Sequence, residues 1–440
     1  MSAPPMLPGL PIVGHALEFR RDALGLFRRG YERLGPVFGI RLATTPAAVL
    51  VGPELLRVFF ERTDHELDMG EVYGFLQPIL GDRVLFTAPR REYEEQRRIM
   101  LPAFGGKKLR SYVGEMTAEV DEWLQTLGDE GSFDLCEMST QLTMAMIARA
   151  ILGEPFRRRL GPELAQLFAD LAGGLEFVLP TNLPLPRFRR RDRALARLRQ
   201  VLGDAVRARR EDPTPHDDFL QALLEARYLD DPRIPDDKVV TFLLGLIFGG
   251  RENTAGHLEW ALVSLLQSEA AHGRAVSEVD EVLTARDRPD LDALRSLRWL
   301  DACVKESERL RPVTHTLLRL AKQDLTVGDY TIPKGWLVVA GIALSQRLPA
   351  LFPDPERYDP ARYLAPRDED QPYHVVGFGG AGHKCWAMAF ANAEVKVILA
   401  MLLRRYELAL VDPAAPAKVN DIGVLRPAAP CLVRYRRRAA

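Results

Sequence analysis

Residues 373–394 read YHVVGFGGAGHKCWAMAFANAE, and the architecture turns on how their four glycines and single cysteine are understood. Taken alone, Gly377-x-Gly379-x-x-Gly382 is the fingerprint of a dinucleotide-binding strand, turn and helix. That reading needs an acidic residue about 20 positions further on and several strands behind it. Asp412 comes later than that, and only 28 residues follow it. His383, Lys384, Cys385 and Trp386 also crowd the place where a pyrophosphate would approach. The other reading is a glycine-rich loop that presents Cys385 at the start of a helix, where free N–H groups and the positive helix end stabilise a thiolate. A thiolate so placed is a good iron ligand. A lone cysteine is more often a small buried hydrophobe, and it is the surrounding pattern that argues against that fate here.

The rest of the chain frames this loop. Its 440 residues are 47% hydrophobic and 27% charged, enough for a large core. Lys plus Arg number 59 against 60 for Asp plus Glu, so no global field recruits nucleic acid or an anionic membrane. Cys136, Cys303, Cys385 and Cys431 stand far apart with no CxxC pair to suggest a zinc knuckle, a redox dithiol or an iron–sulfur cluster, which suits a reducing cytoplasm. Pro4, Pro5, Pro8 and Pro11 break the opening stretch, and Arg20 and Arg21 follow, so neither signal peptide nor membrane anchor is expected. The apolar runs 242–248 and 336–344 are far short of a membrane span.

The spacing predicts a mainly α chain with a small β region. Residues 36–52 read as a β-hairpin and about 326–343 as a second β segment turning at Gly328 and at Pro333-Lys334-Gly335. Helices are expected over about 235–268, 291–311 and from Cys385 to about 408. The first is apolar on all sides at FLLGLIFGG, as a helix through the middle of a core should be, yet carries Gly249 and Gly250 at its centre. The β part is placed at about 36–62 and 313–345 plus C-terminal strands, within one domain over 1–440.

Phe378-Gly379-x-x-x-His383-x-Cys385, with Ala391 and Glu394 beyond, resembles the heme-binding signature of the cytochrome P450 superfamily. The resemblance implies the P450 fold and heme b, iron protoporphyrin IX, as cofactor. It makes Cys385 the proximal iron ligand, with Phe378 near its sulfur, Gly379 in the turn and His383 reaching a heme propionate. Ala381 and Ala387 depart from the pattern, standing where the family usually has glycine. KESERLRP resembles the family's ExxR segment through Glu306 and Arg309, and FPDPERYDPARYL supplies Arg362 as the third member of a buried network that locks the cysteine loop. Read without the resemblance, Glu306 and Arg309 are a solvated helical pair. Tyr93-x-x-x-Arg97 and Arg319 match propionate-binding positions, with Tyr93 where Trp or His is commoner.

Gly249-Gly250-Arg251-Glu252-Asn253-Thr254 resembles the family's oxygen-activating segment. Small residues leave room for O2, Glu252 is the acid that relays protons, and Asn253 holds the usual threonine position with Thr254 one residue on, about 100° further round the helix. Asn donates a hydrogen bond but relays no proton as a hydroxyl does. Substrate-lining segments, also by resemblance, are 69–86, 168–179, 242–250, 314–318 and 422–425; they are mostly apolar, so a hydrophobic or amphiphilic organic substrate is expected. The expected activity is a monooxygenase taking electrons from a separate ferredoxin and ferredoxin reductase. Lys107, Lys108, Arg110, Lys384, Arg404 and Arg405 are candidates for the docking patch. A cytoplasmic monomer of secondary metabolism completes the expectation; a heme protein catalysing non-oxygenating coupling or rearrangement is the alternative.

Overall fold

The run AAVLV at residues 47–51 has no polar alternation, which is what a strand covered on both faces requires. In the computed structural model, which describes residues 1–81, 83–175, 183–229, 233–284, 288–419 and 423–439, it forms the second strand of a five-stranded mixed sheet. The strand order is Val37–Leu42, Thr45–Leu50, Leu337–Ala340, Leu317–Ala321, Leu67–Asp68. Thr45–Leu50 runs parallel to Leu337–Ala340, and the other pairs are antiparallel. Ala47 and Val49 face helix Ala16–Leu34 through Leu26 and Phe27. Ala48 and Leu50 face helix Pro53–Glu61 through Leu56, Phe59 and Phe60. Gly30 lets the first helix lie close on the sheet, since a Cβ there would overlap the Phe38 ring.

These elements belong to the first of two compact units, Met1–Gly74 with Glu306–Cys385; the second is Phe75–Lys305 with Trp386–Ala440. Each unit is assembled from two stretches of chain. Helix Asp236–Leu266 of the second unit buries residues all round and packs on helices Leu135–Leu152, Pro186–Glu211 and Met388–Arg405. An antiparallel sheet orders Glu130–Asp134, Leu432–Arg437 and Tyr406–Leu410, and Ala417–Val419 pairs with Leu425–Pro427. Among the described residues no helix is long and apolar enough to cross a membrane.

Three expectations need correction. Residues 53–61, placed in the β region, are a helix, because Pro53 starts it and Leu56, Phe59 and Phe60 recur at helical spacing. The helix expected over 291–311 is two, Leu291–Ser296 and Arg298–Leu310, parted where Leu297 leaves helical geometry (φ −75, ψ 70). The helix after Cys385 begins only at Met388 and ends at Arg405, where the chain turns extended to pair Tyr406–Leu410 with the last strand.

Candidate active site

The cysteine loop folds back on itself. Cys385 N–H donates to Phe378 O at 2.8 Å, and Gly379 N–H donates to Val376 O at 2.8 Å. Gly379 has φ +78, and a Cβ on it would lie 2.7 Å from His383 O, so only glycine fits this position. Ala381 also adopts the left-handed region, at φ +47. The turn delivers an exposed Cys385 three residues ahead of the helix, whereas Cys136, Cys303 and Cys431 are buried. Burial pushes the Cys136 thiol up to about 12 and the Cys431 thiol up to about 11, so both stay protonated. Of the four thiols only Cys385 is presented to a ligand.

Beneath the loop, Glu306 is fully buried and bidentate to Arg309, both contacts 2.8 Å. Arg362 Nε reaches Glu306 Oε1 at 3.3 Å, Tyr363 donates its hydroxyl to Oε2 at 3.0 Å, and Asp359 N–H donates to Oε1 at 2.9 Å. Further guanidinium protons go to the carbonyls of Gln346, Pro355, Arg357 and Asp354, and Arg362 Nη1 donates to Glu369 Oε2 at 3.1 Å. The expected three-residue network is therefore present and larger, and Tyr363 is a member that the sequence did not single out.

Arg319 is buried in the same unit, donating to Thr63 Oγ1 at 3.2 Å and to Leu318 O at 2.8 Å, with its guanidinium 4.9 Å from the Phe59 ring centre. His383 Nε2 lies 2.6 Å from Asp64 Oδ2, a partner nothing in the sequence announced. Phe378 is half-buried in the loop. In the second unit, Tyr93 is buried on helix Arg90–Met100 with its ring 5.3 Å from that of Trp386. Arg97 Nε and Trp386 Nε1 are buried N–H groups with no hydrogen-bond partner among the described residues. Unsatisfied buried donors are uncommon in proteins. In the first unit the exposed Cys385 on its glycine turn fits a group that brings a metal for sulfur; in the second the two donors fit anionic acceptors, and heme is a group that offers both.

On the long helix, Asn253 is exposed and its Nδ2 donates to Gly249 O at 2.9 Å. A Cβ on Gly249 would meet nothing within 4 Å, so the two residues share an open face. Thr254 points into the core instead. Glu252 is buried, ion-paired with Arg251 and, at 2.6 Å, with Arg426. Sequence reading gave no sign of Arg426, which lies 174 residues away. Glu394 is wholly buried with neither carboxyl oxygen hydrogen-bonded among the described residues, and burial holds it well above the usual carboxylate range, in the neutral form.

The candidate docking cations are mostly occupied. Lys108 pairs with Asp217, Arg110 with Asp292, Arg404 with Asp280 and Arg405 with Asp121, leaving Lys107 and Lys384 exposed. Of the substrate-lining segments, residues 82, 176–179 and 422 lie outside the described residues.

The sequence profile described as Cytochrome P450 matches residues 4–434. An obtusifoliol 14-alpha demethylase of Triticum aestivum is 33% identical over 99% of this chain and 98% of its own. A sterol 14alpha-demethylase of Mycolicibacterium vanbaalenii is 34% identical over 97% of this chain and 96% of its own. Among solved structures, a retinoic acid-bound cyanobacterial P450, CYP120A1, aligns over the whole of both chains with a TM-score of 0.89 at 26% identity.

Proposed function

The chain belongs to the cytochrome P450 family and is a monooxygenase, and from that premise we propose which residues serve the reaction and what it acts on. Heme, when bound, supplies the reductive activation of O2, so that one oxygen atom enters the substrate and the other leaves as water. Cys385 holds the iron through its thiolate, the presentation of this one thiol by the glycine turn being the observation that carries the reading. Phe378 and Gly379 shape the sulfur's surroundings. Arg97, Arg319, His383 and Tyr93 neutralise or hydrogen-bond the propionates of heme b. Glu252 moves protons inward, Asn253 keeps the open turn at Gly249 in register, and Thr254 packs behind it.

The substrate is an apolar lipid with a bulky carbon skeleton. The demethylase relatives are named for sterols and the cyanobacterial neighbour holds retinoic acid, which supports a lipid and lends no support to secondary metabolism. Electrons come from a separate ferredoxin and its reductase, Lys107 and Lys384 each being an exposed candidate contact within its own unit, and the protein works as a cytoplasmic monomer. The test is the reduced protein under carbon monoxide. Wild type is expected to show the strongly red-shifted Soret band of thiolate ligation, Cys385→Ser to lose it, and Cys136→Ala, Cys303→Ala and Cys431→Ala to keep it. Loss of the band in any of those three overturns the ligand assignment. Titration with sterols and retinoids, read by the heme spectrum and then by 18O2 incorporation, checks the substrate class and separates oxygen insertion from coupling or rearrangement.

A further inference from the structure

The face of the long helix that carries Glu252 carries Glu259 seven residues on, two turns along the same side. Both carboxylates are buried, Glu259 completely. A buried carboxyl group stays ionised only where a cation meets it. One side chain serves both. Arg426 Nη1 lies 2.6 Å from Glu252 Oε2, Arg426 Nε lies 3.0 Å from Glu259 Oε2, and Nη2 contacts Glu259 Oε1. Nη2 also reaches Thr140 Oγ1 at 3.0 Å and Cys136 O at 3.3 Å, and the Ser139 hydroxyl donates to Glu259. The planar fork of arginine suits such divided loyalty, and a lysine ammonium has no equivalent geometry.

The strand Leu425–Pro427 fixes where this fork stands. Trp260 Nε1 donates to Leu425 O at 2.9 Å, pinning the strand to the helix next to the residue that carries the guanidinium. Cys136 Sγ approaches Pro427 O at 3.7 Å on the other side. Arg426 is thus held from both flanks, and the Glu252 carboxylate has little freedom to swing. Its second oxygen is taken by Arg251, itself buried.

We propose that Arg426 is a positioning residue for the reaction, holding the proton-carrying Glu252 in one orientation while Glu259, Ser139 and Thr140 fix the guanidinium from behind. This rests on the reading of Glu252 as proton carrier. The balance shows why orientation matters: RH + O2 + two electrons + two protons give ROH + H2O, and both protons must come from solvent in step with the electrons. A misplaced acid delivers them late, and reductant is then consumed without product.

The test uses the heme-loaded protein. Arg426→Gln alone would strand Glu259, so it is made in a Glu259→Gln background and compared with that background. Product per reductant is expected to fall by about tenfold, with a larger solvent isotope effect and a shifted pH profile, at unchanged heme content and carbon monoxide spectrum. Arg426→Lys in the same background should recover part of the loss. Adding Glu252→Gln should bring no further loss, and in thermal melts the Glu252 and Arg426 substitutions should lower Tm by less than their sum. If the Arg426→Gln protein does not load heme, the Lys variant carries the comparison, with a partial loss expected and full coupling overturning the proposal. An impaired Glu252→Gln alongside a wild-type-like Arg426 variant overturns it, as do strictly additive losses. An unimpaired Glu252→Gln would instead sink the proton-carrier reading itself.

Discussion

Ala381 stands in the left-handed region at φ +47, in the turn that leads to Cys385, and its Cβ is the atom that conformation penalises. Ala381→Gly is expected to stabilise the heme-loaded protein by about 0.5–1 kcal/mol, less than the full strain because glycine also loosens the unfolded chain. Urea unfolding of the two proteins measures it, and a destabilised variant would show that the turn relies on the methyl group. Asn253 poses a different question, since one amide proton is already committed to Gly249 O. A threonine can make the same back-bond to the carbonyl four residues earlier. Asn253→Thr should therefore keep product per reductant within about twofold, whereas Asn253→Ala should lose about tenfold, less than the roughly 100- to 1000-fold cost of removing a donor aimed at the reacting atoms themselves. Equal coupling in all three proteins would remove Asn253 from the mechanism.

At the scale of elements, the cysteine loop is closed by its own backbone hydrogen bonds and is tied at its start to the network around Glu306. Val376 N–H donates to Gln346 Oε1 at 2.8 Å, and Gln346 Nε2 in turn donates to the carbonyl of Arg309, so loop and network share a residue. Truncating one partner leaves the others buried and unpaired, at about 3–5 kcal/mol. Glu306→Ala and Arg362→Ala should yield mostly heme-free protein, read as the ratio of Soret to protein absorbance. Tyr363→Phe removes one neutral donor only and should retain heme, at a cost of about 1 kcal/mol. Normal heme content in the first two would mean the loop is held by something else.

For the whole molecule, buried ionisable groups set the pH range of stability. His257 on the long helix is fully buried, 3.3 Å from Asn392 Oδ1, and burial lowers it to about 4. Its unfolded value is near 6.5, so between pH 6.5 and 4 the unfolded chain takes up a proton that the folded one refuses. Stability from this residue is intact above about pH 6.5, falls as pH drops, and levels off below about 4, a loss of about 3 kcal/mol. Glu394 acts in the opposite sense: its folded form is neutral, so its contribution is fully present below the ordinary carboxylate range, falls as pH rises above it, and levels off beyond its raised folded value. Unfolding free energies of wild type and His257→Gln at pH 7 and pH 5 isolate the first effect. The wild type should lose more stability than the variant, and equal losses would refute the assignment.

What the sequence determined by itself was whatever depends on residues close in the chain. The Gly379 turn, the placing of Cys385 ahead of a helix and the pairing of Glu306 with Arg309 are local, and local spacing sets their geometry, although spacing alone would leave that pair in solvent. The hairpin of Val37–Leu42 and Thr45–Leu50 was legible for the same reason. Residues 53–61 were legible too, through helical spacing at Leu56, Phe59 and Phe60, but adjacency to the hairpin drew them into the β region. Tertiary structure alone decided the partners of the charges. Arg426 meets Glu252 and Glu259 because buried carboxylates need a counterion, while Asp280 and Asp121 claim the partly exposed Arg404 and Arg405 and Asp64 meets His383 only because folding brings them near. A lone arginine in a sequence carries no mark of which distant carboxylate it will neutralise, since that choice is made by burial and not by spacing.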